Sequence, residues 1–232
     1  MSVRLKDQKP FAQGGNRLCF VQPTQPDRCI KVRRPDFSLE ALRASKGFPK
    51  NLRPLASFDD NLEERRVMGQ LDRRLGADIY AHVSHCYGMV DTDLGPGLVS
   101  ELIRDSAGPI ALSLKQMLWE RGLTDDLQQA LDDFCSFWER SCIPSRQLLP
   151  HNIVAPRDQQ GNVQRLVVID GLGESTLLPL HWLPTRWQQR RCRNKTGQLR
   201  ARVDRFLAEL KAGKVPSNMG RLLHDGSPTS SS

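Results

Sequence analysis

Ser145-Arg146-Gln147-Leu148-Leu149-Pro150-His151-Asn152-Ile153-Val154, followed by Leu166-Val167-Val168-Ile169-Asp170, is the stretch that decides the fold. The first run reads as a loop ending at an Asn. The connector Pro156-Arg157-Asp158-Gln159-Gln160-Gly161-Asn162 is polar, carries Pro and Gly, and reads as a hairpin turn. Leu166 to Ile169 is continuously apolar, as a short strand buried on both faces requires. Asp170 stands where that strand stops. A loop Asn and a strand-end Asp suit the magnesium ions that bridge nucleotide phosphates.

Upstream of this stretch the chain reads mainly as strands. Phe11 to Asn16 is a turn whose glycines, Gly14 and Gly15, accept positive φ. Leu18 to Val21 continues as a strand, Gln22 to Asp27 turns, and Arg28-Cys29-Ile30-Lys31-Val32 is a further strand. Residues 35–58, with Pro35, Gly47, Pro49 and Pro54, read as a flexible insertion. From Asn61 the pattern is helical, with Asp59, Asp60 or Asn61 as cap and acids Glu63 and Glu64 in the first turn. Val67, Met68, Leu71 and Leu75 give its apolar stripe, and Gly76 ends it. Ile79 to Val83, Cys86 to Val90 and Gly97 to Ile103 read as strands. Strand alternation sets His82 and His85 on opposite faces, which argues against a metal site there.

Downstream, Leu112 to Leu123 and Leu127 to Cys142 read as helices, with Thr124 as a cap for the second. Leu127, Ala130, Leu131, Phe134 and Trp138 share one face and should be core. The chain carries a net charge of +8, and that charge is local. Residues 186–214 hold ten Lys or Arg and two acids, so this segment alone accounts for +8. Leu199, Val203, Phe206, Leu207 and Leu210 mark an amphipathic helix within it. The tail from Ser217 ends in Gly-Ser-Pro-Thr-Ser-Ser-Ser and is expected to be disordered.

Six cysteines, none in a C-x-x-C pair, suggest neither a zinc ribbon nor a redox motif. No signal-peptide core opens the sequence. No apolar run approaches the roughly 18 residues of a spanning helix. The expectation is a cytoplasmic protein with reduced cysteines.

The pieces stand in the order of a protein kinase: Gly turn, strand Lys, helix Glu, loop Asn, strand-end Asp. Against the kinase loop pattern H-R-D-x-x-x-x-N, Ser145 takes the His place, Arg146 matches Arg, Asn152 matches Asn, and Gln147 stands where the catalytic Asp belongs. The chain also resembles the YrbL family of the bacterial PhoP regulatory network, small relatives of the kinase fold, over roughly residues 8–210. The carrying residues are Cys29-Ile30-Lys31, Asp91-Thr92-Asp93, Leu149-Pro150-His151-Asn152-Ile153 and Asp170-Gly171-Leu172-Gly173-Glu174-Ser175-Thr176.

The resemblance implies an α+β, two-lobed kinase-like fold. It places an antiparallel-sheet N-lobe over 1–104, a mainly helical C-lobe over 105–216 and the tail over 217–232. A hinge near Ile103 to Gly108 follows Glu101, whose strand backbone would meet an adenine. Lys31 would contact α- and β-phosphates, Glu64 (Glu63 in reserve) would hold Lys31, and Gly14 would keep the loop near the phosphates. Asn152 and Asp170 would bind magnesium, with ATP as the nucleotide. An amide at Gln147 accepts no substrate proton, and a lost base commonly costs about a hundred- to ten-thousandfold. Leu149 and the Gly171-Leu172-Gly173 run also depart from the kinase pattern. Three functions stay open. One is a phosphotransferase, with Glu174 as a substitute carboxylate. Another is a pseudokinase-type regulator or scaffold. The third is a protein or anion-surface binder acting through residues 186–214, where Trp182 and Trp187 stand beside arginines.

Overall fold

The computed structural model describes residues 2–173 and 180–226. Glu174, Ser175 and Thr176 of the family-like run lie outside the described residues. Strands β1 (Ala12–Gln13), β2 (Arg17–Val21) and β3 (Arg28–Arg33) come first. Then follow helices α1 (Leu39–Ser45) and α2 (Asp60–Leu75) and strands β4 (Cys86–Thr92) and β5 (Gly95–Glu101). The five strands make one antiparallel sheet in the order β1-β2-β3-β5-β4. Its register decides what each face carries. Cys19 stands opposite Lys31, and Val21 opposite Cys29. Partners across a ladder share a face, and so do residues two apart on one strand. Arg17, Cys19, Cys29 and Lys31 therefore line one face. Phe20, Ile30 and Val32 line the other, where they pack with Leu5 and Val99.

Helix α2 covers the face that carries the cations. The Asp59 carboxylate caps it, accepting from the amides of Asn61 (2.9 Å) and Leu62 (3.3 Å). Its buried stripe is Asn61, Glu64, Val67, Met68 and Leu71. The spacing is helical, but the chemistry changes along it: polar in the first turns, apolar beyond. The polar end meets the sheet. The apolar end joins the core of the second lobe.

That lobe contains α3 (Leu114–Arg121), α4 (Asp125–Ser141), the pair β6 (Ile153–Val154) and β7 (Val167–Val168), and α5 (Thr185–Lys211). Leu127, Leu131, Phe134 and Trp138 of α4 pack with Leu199 and Val203 of α5. The connector closes a turn at Gly161, whose amide donates to the Asp158 carbonyl. The architecture is α+β and two-lobed, with the antiparallel sheet in one lobe and helices dominating the other. The join between them turns back at residues 105–109 and is pinned by Asp105, which accepts from Arg157 Nε at 2.9 Å.

Four expectations are corrected. Ile79 to Val83 is not a strand: positive φ at Gly76 ends α2, and the chain continues as a 3-10 helix over Gly76–Ala81 that buries Ile79. The 35–58 insertion contains helix α1, capped by the Ser38 hydroxyl. Thr124 holds the cap position of α4 without a hydroxyl bond to the helix amides. Residues 217–226 of the tail pack against both lobes; residues 227–232 lie outside the described residues.

Phe134 is fully buried at the centre of the helical lobe. Phe134→Ala removes a ring from a site walled by Trp138 and His82. We expect it to lower unfolding free energy by about 3–5 kcal/mol in urea denaturation, as large-to-small core changes do.

Candidate functional site

Four charged groups meet between the lobes. Lys31 Nζ lies 2.6 Å from Glu64 Oε1. Arg17, the first residue of β2, places NH1 2.7 Å from Glu64 Oε2 and NH2 2.6 Å from Asp170 Oδ2. Asn61 completes the lattice: its carbonyl accepts from Arg17 NH1 (2.9 Å) and its amide donates to the Lys31 carbonyl (2.9 Å). Lys31 Nζ also donates to the Ile169 carbonyl at 2.6 Å, which ties β3 to the strand end that carries Asp170. Arg17, Lys31 and Glu64 are all buried. Burial of unpaired charge is costly, so each of these groups depends on its partners.

The electrostatics follow the contacts. Burial is the largest influence on the Lys31 ammonium and lowers it, but Glu64 together with Cys29 and Asp170 outweighs it and the pKa rises. Burial likewise opposes the Arg17 charge, and Asp170 with Glu64 raises it well above its ordinary value. Asp170 keeps 44% of its side chain exposed; desolvation at the cluster still opposes its charge, and Arg17, Lys31 and the Gly171 amide hold it down to about 2.

The other expected residues are placed nearby with different contacts. Gly171, at φ +87°, brings the Gln147 carbonyl and Asn152 Nδ2 within 3.0 and 3.2 Å of where a Cβ would stand. Only glycine suits that turn. Gln147 and Asn152 thus flank the residue after Asp170. Gly14 donates its amide to the Arg17 carbonyl (2.9 Å), closing the turn before β2. Glu101 turns its carboxylate to His85, accepting from the backbone amide (3.1 Å) and facing Nδ1 at 2.9 Å. Glu63 pairs with Arg66 and makes no bond to Lys31. Glu174 lies outside the described residues. His82 packs on Phe134 and Phe137 while His85 stacks on Tyr80, so the two histidines diverge.

Asp60 and α5 hold the loop around Gln147. Asp60 accepts from Asn16 of the Gly turn (2.8 Å) and from Arg146 (3.2 Å). Lys195 donates to the Arg146 carbonyl (2.6 Å) and Arg202 to the Leu148 carbonyl (3.3 Å). Two cations of the basic helix therefore grip the residues on either side of Gln147. Arg200 pairs with Asp132 of α4 at 2.5 Å.

Beside the charged cluster lies a cavity of about 90 Å³, lined by Cys19, Cys29, Lys31, Ile103, Ile169 and Leu222 among others. Small-molecule sites usually run from about 300 Å³ upward. The tail narrows this one. Ser113 Oγ donates to the Gly220 carbonyl (2.7 Å), the Leu223 amide donates to the Phe11 carbonyl (2.7 Å), and Leu222 packs on Phe11, Cys29, Leu102 and Ile110. Gly220, at φ +80°, passes so close to His151 that a Cβ would clash at 2.3 Å.

As they stand, both oxygens of Asp170, the carboxylate expected to hold magnesium, are engaged within the protein. Asp170 Oδ2 faces Arg17, and Oδ1 accepts from the Gly171 amide at 2.6 Å. Among the described residues no three His, Cys, Asp or Glu side chains are grouped to hold a metal. Arg17 is the residue that reading by motif missed. No motif contains it, and its place on the Lys31 face follows only from the pairing of β2 with β3.

The family model for the PhoP regulatory network protein YrbL matches residues 3–204. The chain belongs to that family. YrbL of Escherichia coli (strain K12) is 29% identical over 195 residues, 81% of this chain and 83% of its own; YrbL of Shigella flexneri matches equally. A crystal structure of Rad53 1-466 in complex with AMP-PNP aligns over 90% of this chain and 52% of its own, at 12% identity and TM-score 0.47. The chain spans about half of that structure. The likeness is too slight to carry the fold, which stands on the contacts above. No helix among the described residues is long and apolar enough to cross a membrane.

Asp170 yields a prediction for acid. Its folded pKa of about 2 lies below the ordinary 3.8, so its ionised form stabilises the fold above that window and the contribution disappears as pH falls through it. In thermal unfolding, wild type should lose its stability margin over Asp170→Asn between pH 3.8 and about 2. A margin independent of pH there would contradict the pairing.

Proposed function

We propose that this YrbL-family chain is a nucleotide-binding regulatory protein of pseudokinase type, with the nucleotide phosphates at the inter-lobe charged cluster. The observation that carries the reading is the buried Lys31–Glu64 pair, set beside Asp170 at the rim of a cavity between the lobes. A cation held there by a carboxylate suits a phosphate, and the apolar cavity next to it suits a base. Gln147 argues against turnover, because an amide cannot take the proton of an attacking hydroxyl. The family's name connects its members with a PhoP regulatory network. A signalling role for a silent nucleotide site is consistent with that connection.

A base entering the cavity has to displace Leu222. The binding-competent state is then only part of the population, which weakens apparent affinity by that fraction.

A second reading rests on α5. Trp182 and Trp187 are 70% and 60% exposed beside Arg186 and Arg190. That end of the helix suits a polyanionic surface, whereas Lys195, Arg200 and Arg202 are engaged inside the fold. Such binding would weaken steeply with salt.

The test is a thermal shift with ATP on wild type, Lys31→Met and a chain ending at residue 216, alongside a radiolabel transfer assay. Ligand at a hundred times its Kd stabilises by about 2.7 kcal/mol. We expect a shift in wild type, a larger one in the shortened chain, none in Lys31→Met, and no phosphate transfer. No shift in either wild type or the shortened chain overturns the nucleotide reading. Phosphate transfer abolished by Asp170→Asn would overturn the pseudokinase reading.

A further inference from the structure

In the arrangement expected from the motifs, a Lys–Glu pair neutralises itself and leaves Asp170 as a lone carboxylate. A lone carboxylate beside phosphates calls for a divalent cation. The structure has a different charge count. Arg17 and Lys31 supply two positive charges and Glu64 and Asp170 two negative ones, linked at 2.6 to 2.7 Å. The cluster is already neutral without a metal.

Arg17 is built into this role. It leaves the Gly turn as the first residue of β2, where the ladder fixes its backbone opposite Arg33. Asn61 and Glu64, one turn apart on α2, both accept from its NH1. Its NH2 then points at Asp170, on the strand end of the other lobe. We propose that the Arg17 guanidinium replaces the divalent cation at Asp170, so that this site excludes the metal and any nucleotide is bound without one. Guanidinium is always charged and presents its donors in a planar fork that matches carboxylate oxygens, so it does a cation's work at Asp170 without water ligands. A magnesium ion at Asp170 would have to displace this fork or sit against its charge. The metal-free nucleotide half of the proposal rests on the nucleotide reading above; the exclusion of metal does not.

The experiment titrates manganese, a spectroscopic stand-in for magnesium, into the full chain without nucleotide, and follows free manganese by electron paramagnetic resonance. Wild type and Arg17→Lys should take up none at this site. Arg17→Met leaves Lys31 against the two carboxylates of Glu64 and Asp170, one excess negative charge. It should bind manganese at least about tenfold more tightly, the scale on which supporting groups tune metal sites, and the double change Arg17→Met/Asp170→Asn should lose that gain. Circular dichroism on each variant establishes that it is folded. Should Arg17→Met fail to fold, wild type and Asp170→Asn decide: manganese bound by wild type and lost in Asp170→Asn overturns the proposal, and equal indifference to manganese supports it. Uptake by wild type equal to that of a folded Arg17→Met also overturns it. In parallel, the ATP-induced thermal shift of wild type should be the same in magnesium and in chelator. A shift that requires magnesium overturns the proposal while leaving nucleotide binding intact. Absence of any shift removes the nucleotide reading, and the manganese titration still decides whether Arg17 excludes the metal.

Discussion

The two carboxylates of Glu64 and Asp170, each held at 2.6 to 2.7 Å by the same guanidinium, are the constraint on which the rest depends. Buried charges are stable only where geometry satisfies them. Arg17 therefore fixes three separate elements at once: the start of β2, the first turns of α2 and the end of β7's strand run. Lys31 repeats the demand from β3, reaching Glu64 and the Ile169 carbonyl. The polar half of the α2 stripe exists because this cluster exists. Its apolar half, Val67 to Leu71, then anchors the helix to the other lobe's core. One helix thus transmits the position of the sheet to the helical lobe.

Much of this was legible in sequence, for identifiable reasons. Glycine turns, a capped helix start at Asp59 and a strand of continuous Leu, Val and Ile are local signals, and local signals specify local structure. The helix Glu was readable because Glu64, not Glu63, falls on the stripe of Val67, Met68 and Leu71. The 3-10 helix at Gly76–Ala81 was not readable, because its apolar residues are few and its course is set by Ile79 finding the core. The tail departs from its composition for a related reason. Composition marks Ser217 onward as poor in core formers, yet a single Leu222 in an apolar recess and backbone bonds to both lobes place residues 217–226.

Arg17 shows the limit most plainly. A motif assigns roles to the residues it contains, and Arg17 lies in none. Only the register of β2 on β3 reveals that it shares a face with Lys31. The basic helix α5 is similar. A count of charges suggests an anionic partner outside the molecule, whereas Lys195 and Arg202 bind carbonyls on either side of Gln147. Part of the helix's charge serves to position the loop, and the site is shaped from behind by a segment that the motifs do not mention.

Arg17 and Asp170 act as one unit across the lobes. A double-mutant cycle in urea, with Arg17→Met, Asp170→Asn and the pair, tests it most directly. Groups in direct contact show coupling energies of about 0.5–3 kcal/mol, whereas independent sites add. Strong non-additivity is expected, with the double variant losing much less than the sum of the two single changes. Additive losses would mean that the ion pair contributes nothing as a pair, and the description of a neutral, self-sufficient cluster would be wrong.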